Sequence, residues 1–258
     1  INFAHGDIFM MAGFFMVYIS ASMPMAVAIP VVLIMTVALG LLIERAAYKP
    51  LRSAPRMSVM ISAIGVSYLL QNLATYITGG LARPYPEIPF LKGTFMLGAL
   101  KIKIITVVTP LLTILLVIAL VLFINHTKTG MAMRAVSRDF DTARLMGIKV
   151  NNIISVTFII GSFLAGVGSI LYFSNYGQVS PTIGAMPGLK AFVAAVFGGI
   201  GSIPGAVLGA YIIGICESLI KANDAIAIFS NAFTFALLIL VLLFKPNGMF
   251  GEKLAEKV

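Results

Sequence analysis

A chain of 258 residues that is 60% hydrophobic and only 10% charged, with a mean hydropathy of +1.04, lacks the polar surface of a water-soluble domain, which carries about 25% charged residues. Lipid must replace water around most of it. The net charge of +9 does not point to nucleic acid, because the basic residues sit in short clusters between apolar runs, and the single cysteine, Cys216, excludes an intramolecular disulfide.

A helix crossing the roughly 30 Å hydrocarbon core needs about 20 mainly apolar residues. By that measure residues 8–22 form a first, shorter segment, followed by 25–43, 58–78, 104–124 and 153–173. A glycine-broken pair comes next, 189–199 and 204–220, and 226–244 closes the set. These runs are too long and too evenly apolar for barrel strands. The pattern predicts an all-α fold, a polytopic transmembrane helical bundle of seven or eight segments that forms one permease domain over 1–258. Between the third and fourth segments, Gly79, Gly80, Pro84, Pro86 and Pro89 break any helix. Residues 79–103 read as an external loop, with a short hairpin where 94–103 alternates.

Orientation follows from the Lys and Arg of the loops. Arg45, Lys49, Arg52 and Arg56 follow the second segment; Lys128, Arg134, Arg138, Arg144 and Lys149 follow the fourth; Lys245, Lys253 and Lys257 follow the last. One topology puts all of them, and the C-terminus, in the cytoplasm. The other side then holds Arg83, Lys92, Lys101, Lys103, Lys190 and Lys221, half as many.

Three stretches carry more than span signals. The first is the run of Gly198, Gly199, Gly201, Pro204, Gly205, Gly209 and Gly214. Spacing of four from Gly201 to Gly209 makes a side-chain-free stripe that lets another backbone approach. Gly198, Gly199 and Pro204 interrupt the apolar run, as in a broken or re-entrant segment that lines a solute path; tight packing with a loop at the membrane face fits the same residues. The second stretch, within a cytoplasmic loop at 125–152, is amphipathic: Met133, Val136, Phe140, Ala143 and Gly147 share one helical face, and Arg134, Arg138, Asp141 and Arg144 occupy the rest. Lying in the headgroup layer, docking in a partner's groove and linking two membrane helices are all compatible with it.

Ionisable groups inside the segments are the third. Such charges cost roughly 2.5 to 3.5 kcal/mol at the membrane centre, so they face the bundle interior or reach an interface. His5 and Asp7 flank Gly6 at the start of the first segment; Lys190 and Glu217 are placed to pair near the external boundary. Gln71 and Asn72 are uncharged candidates for a polar path, while Glu44 and Arg45 fall at a cytoplasmic helix end where solvation accounts for them. No G-x-x-x-x-G-K-[ST] loop, zinc-ligand spacing or nucleophile motif occurs, so neither a cofactor nor a catalytic site is expected on this chain.

Six motifs in order resemble the branched-chain amino acid ABC transporter permeases of the LivH type: INFAHGD at 1–7, ERAAYKPLR at 44–52, ISAIGVSYLLQN at 61–72, RAVSRDFDTARLMGI at 134–148, KAFVAAVFGGIGSIPGAVLGA at 190–210 and FALLILVLLFKPNGMFG at 235–251. The resemblance implies a bacterial or archaeal inner-membrane subunit that imports branched-chain amino acids; related permeases carry urea, amides or other small solutes. It implies a homologous LivM-type permease, two cytoplasmic ATPase subunits that hold ATP and magnesium, and an external solute-binding protein. The family's ATPase-contacting loop falls on Arg134, Ala135, Arg138, Asp139, Ala143 and Gly147. Asn2, His5, Asn72 and Glu217 are candidates for the translocation path. Because members of the family carry a further membrane helix before the first motif, a segment ahead of Ile1 is expected.

Overall fold

The computed structural model describes residues 2–52, 54–97, 100–245 and 248–249. Lys253 and Lys257, and part of the last motif, lie outside them. The described residues form a helical bundle with little strand. Its helices are α1 (His5–Ile19), α2 (Met25–Ile43), α3 (Arg56–Thr78), α4 (Ile104–His126), α5 (Lys128–Arg138), α6 (Phe140–Leu145), α7 (Val150–Tyr176), α8 (Ala185–Gly198), α9 (Ile203–Lys221) and α10 (Ser230–Phe244). Two compact units divide them, Ile1–Ala185 and Met186–Val258.

Among the described residues six helices are long and apolar enough to cross a membrane: Met25–Leu51, Met57–Thr78, Ile104–His126, Val150–Tyr176, Ile203–Lys221 and Ala227–Phe244. At 1.5 Å per residue, α1 and α8 extend only about 22 Å and 21 Å, short of the hydrocarbon core. α4 shows what lipid does to a helix surface: Leu111, Leu115 and Ile118 all lie exposed, and only Ile105 is buried. In water that surface would be unstable; in acyl chains it costs nothing.

The first unit is built around α1, which packs on α2, α3 and α7. Small residues make these crossings close. A Cβ on Gly13 would lie 2.5 Å from the ring of Phe173, and one on Gly166 would lie 2.9 Å from Leu33. α2 does not stop at Ile43: it widens into a π-turn, Glu44–Tyr48, and tightens into a 3₁₀ turn, Lys49–Leu51. Ser62 of α3 donates to the carbonyl of Ala47 in that turn, 3.2 Å away.

The loop expected over 79–103 is present and is more than a connector. β1 (Arg83–Pro84) pairs antiparallel with β4 (Gln178–Val179), and the Tyr85 amide donates to Gly177 O at 2.9 Å. Tyr85, Ile88 and Leu91 are buried in the main core, with the Tyr85 ring 5.8 Å from that of Phe173. Burial pushes the Tyr85 phenol above its ordinary value, so it stays neutral and acts as an apolar anchor. The expected hairpin is β2 (Thr94–Leu97) with β3 (Leu100–Lys103), Thr94 opposite Lys103.

The second unit is a helical hairpin, α8–α9, with α10 packed along α9. Val193, Ala194, Phe197 and Ile213 form its core, covered by Leu237, Leu238 and Val241. Here the expected glycine stripe needs correction. Gly201 is not on a helix: with Gly199 it forms the turn, at φ +98° and +107°, where a side chain would be strained. Ser202 then caps α9, accepting from the Gly205 amide at 3.1 Å, with Pro204 in the first turn. The close approach belongs to Gly198, Gly205 and Gly209. A Cβ on Gly198 would meet the Gly205 carbonyl, and one on Gly209 would lie 2.6 Å from the Ala194 carbonyl. Gly214 has nothing within 4 Å and takes no part in that contact.

Candidate functional site: the basic helix pair and the polar groups behind it

The amphipathic helix expected over 131–149 is two helices, because Asp139 breaks it. Its backbone is extended, at φ −155° and ψ 115°, and its carboxylate accepts from the amides of Asp141 and Thr142 at 3.0 and 3.1 Å. That is N-cap geometry: the side chain ends α5 and starts α6. Thr127 caps α5 in the same way, through the Gly130 amide at 3.0 Å. Gly147, at φ +81°, turns the chain from α6 towards α7.

Two surfaces result. Inward, Val136, Ala143 and Val150 form a small core with Ile148, Ile153 and Ile154. Ala143, 3% exposed, packs within that core. Outward stand Met131, Phe140, Leu145 and Met146, the last two 87% and 78% exposed, among Arg134, Arg138 and Arg144. Arg134 donates to Asn125 Oδ1 at 3.3 Å, and Ala135 is exposed beside it. Aromatic, Met and Arg side chains together are the composition of protein-docking surfaces. The sequence pattern puts Phe140 and Ala143 on one helical face; the break at Asp139 parts them, leaving Phe140 exposed and Ala143 buried.

Behind this pair lies a cluster that the sequence reading did not find. Glu44 was expected to be solvated; it is instead 0% exposed. It forms an ion pair with Arg52 and accepts from Ser155 Oγ at 3.1 Å, while the other arm of the Arg52 guanidinium donates to Asn151 Oδ1. A desolvated carboxylate is tolerated only with such partners. Arg45, its neighbour, is exposed as expected.

A second buried carboxylate is Asp7, 1% exposed on α1. It accepts from Ser67 Oγ and, at 3.1 Å, from Gln71 Nε2, both on α3. A Cβ on Gly184 would meet the Gly6 carbonyl and lie 3.0 Å from Asp7 Oδ1, so the chain entering α8 passes directly over this group. The path residues expected from sequence each make contacts of their own. Asn2 Oδ1 accepts from the Ala4 amide at 3.0 Å and from Tyr48 Oη at 2.5 Å, tying the start of α1 to the π-turn. A Cβ on Gly161 would lie 3.7 Å from His5, which places His5 against α7. Asn72 is exposed and donates to its own helix at Tyr68 O, 2.8 Å, facing away from Asp7. Gln71 is the polar residue that faces inward. Glu217 pairs with Lys190 at 2.6 Å, as expected, and with Lys221 at 2.5 Å, joining α8 to α9.

The described residues thus combine long lipid-facing helices, buried polar latches and a capped helix pair with an exposed apolar and basic face. Residues 1–242 match the family described as branched-chain amino acid transport system / permease component. Over its whole length the chain is 39% identical to the high-affinity branched-chain amino acid transport system permease protein BraD of Pseudomonas aeruginosa, and 38% identical to the LivH permease protein of the same description from Escherichia coli; it covers 88% of each. It is 30% identical to the probable branched-chain amino acid transport permease protein LivH of Methanocaldococcus jannaschii, over 91% of this chain and 74% of that one. No solved structure matches. The chain is a multi-pass membrane protein and belongs to the family of permease components of branched-chain amino acid transport systems.

Proposed function

We propose that this chain is one permease subunit of an ATP-driven importer that carries branched-chain amino acids into the cytoplasm of a bacterium or archaeon. The α5–α6 pair would receive the ATPase subunits, which hold ATP and magnesium; a second, homologous permease would complete the pathway, and an external binding protein would deliver the solute. The observation that carries this reading is the outward surface of Phe140, Leu145 and Met146 among arginines, on helices fixed by two side-chain caps and an apolar seat on α7. The names of the relatives support the solute, and the excess of Lys and Arg supports a cytoplasmic position for the pair.

ATP bound elsewhere can shift this chain between inward- and outward-open states only through contacts that differ between those states. The test is reconstitution in liposomes with the second permease, the ATPases and the binding protein. Radiolabelled leucine should enter only when ATP and all partners are present. Leu145→Glu with Met146→Glu should remove ATPase binding and uptake together while the chain still inserts, since desolvated apolar contacts at an interface centre are worth about 2 kcal/mol or more each. Leucine flux through the chain without any ATPase would overturn the reading in favour of a carrier acting alone.

A further inference from the structure

The first turn of α7 is held on two faces by different parts of the first unit. Val150 is buried against Val136 of α5 and Ala143 of α6. Asn151 and Ser155, four residues apart and therefore on one face, reach Arg52 and Glu44. Those two residues bracket the π-turn and 3₁₀ turn that end α2, and α2 packs along both α1 and α7. The turn thus sits between the docking pair and the main packing axis of the unit.

We propose that Glu44, Arg52, Asn151 and Ser155 act as positioning residues that transmit displacement of the α5–α6 pair, through the first turn of α7, into α2. The inference rests on the reading that α5–α6 is where the ATPase acts. An apolar interface alone would let helices slide, because dispersion contacts are not directional. The Arg52 guanidinium is a rigid fork with one arm on α7 and the other on the carboxylate that begins the π-turn, so it fixes both distance and direction. Parting it from Glu44 would leave a carboxylate unpaired where no water reaches. The cluster therefore moves as one body, and what moves α7 at Asn151 also moves the end of α2.

The decisive variant is Asn151→Ala with Ser155→Ala, which cuts α7 away while the Glu44–Arg52 pair stays satisfied. It is studied in the complete transporter with its ATPases and binding protein in liposomes, with leucine uptake and ATP hydrolysis measured on one preparation. The complex should assemble as the wild type does, and leucine imported per ATP hydrolysed should fall about fivefold or more. Arg52→Lys, which keeps the charge and loses the fork, should lower the same ratio. An unchanged ratio in the double variant overturns the proposal. So does parallel loss of uptake, hydrolysis and assembled complex, which marks the cluster as support for folding only. The underlying reading is checked separately, by photo-crosslinking from a benzophenone maleimide attached at Leu145→Cys in a Cys216→Ser background: absence of any cross-link to the ATPase sinks the docking site itself, whatever the uptake ratio.

Discussion

At the scale of single residues, Asp7 poses the sharpest physical question, since a carboxylate in an apolar bundle must be held by donors or lose its charge. Ser67 and Gln71 supply two donors from one face of α3. Asp7→Leu would remove the acceptor of both, leaving Gln71 only its bond to Ser67 Oγ at 3.2 Å, at about 1–3 kcal/mol for an unsatisfied group. It should lower the thermal midpoint in detergent clearly more than Asp7→Asn, which keeps an acceptor in place. Equal losses in the two variants would refute the hydrogen-bond account. The glycines of the second unit allow a paired comparison of the same kind. Gly209→Leu drives a side chain into the Ala194 carbonyl and should cost about 1–3 kcal/mol or more, whereas Gly214→Leu meets open space. If purified yield and midpoint fall alike for both, the packing role assigned to Gly209 fails.

At the scale of elements, one short side chain decides the shape of the α5–α6 pair. Asp139 holds the break between α5 and α6 through two amides, and Asp139→Ala should remove about 0.5–2 kcal/mol of local stability. Faster hydrogen exchange at the Asp141 and Thr142 amides, with α4 and α7 unchanged, is the expected signature; unaltered protection there would mean that the cap is not what orders α6. This break also marks where the sequence stopped being legible. Apolar length located the spans within a few residues, because lipid imposes one length on every crossing, and it marked the glycine turn between α8 and α9. Helical periodicity over 131–149, however, assumed an unbroken helix with Phe140 and Ala143 on one face, and a single Asp in extended geometry left Phe140 exposed and Ala143 buried. The Glu44 cluster and the Asp7 cluster were hidden for another reason: each joins residues about 60 to 110 positions apart, which no local pattern reports. The signal that could have found them is the recurrence of polar side chains four apart within apolar helices, Ser67 with Gln71 and Asn151 with Ser155, since each pair makes a polar stripe that needs a buried partner.

At the scale of the molecule, the exposed apolar helices require lipid, and the proposed orientation rests on the distribution of cations between their two ends. The argument is energetic: moving a basic loop outward against the membrane potential is unfavourable, and retained loops accordingly accumulate Lys and Arg. The cluster at 45–56 and the one at 128–149 lie at the same ends of their helices, since α2 and α4 enter them and α3 and α7 leave them. The loop carrying β1, β2 and β3 lies at the other end of α3 and α4, with four cations against nine in the two clusters together, and one of the four, Lys92, is paired with Glu87. The single native cysteine permits a direct test once Cys216→Ser removes it. In intact cells of a bacterial host, Glu87→Cys should react with a membrane-impermeant maleimide, and Ser137→Cys should react only after the inner membrane is opened. Both side chains lie on exposed stretches, so reactivity reports sidedness and not burial. The reverse pattern would put the α5–α6 pair outside, where no ATPase reaches it, and the import mechanism would fall with the orientation.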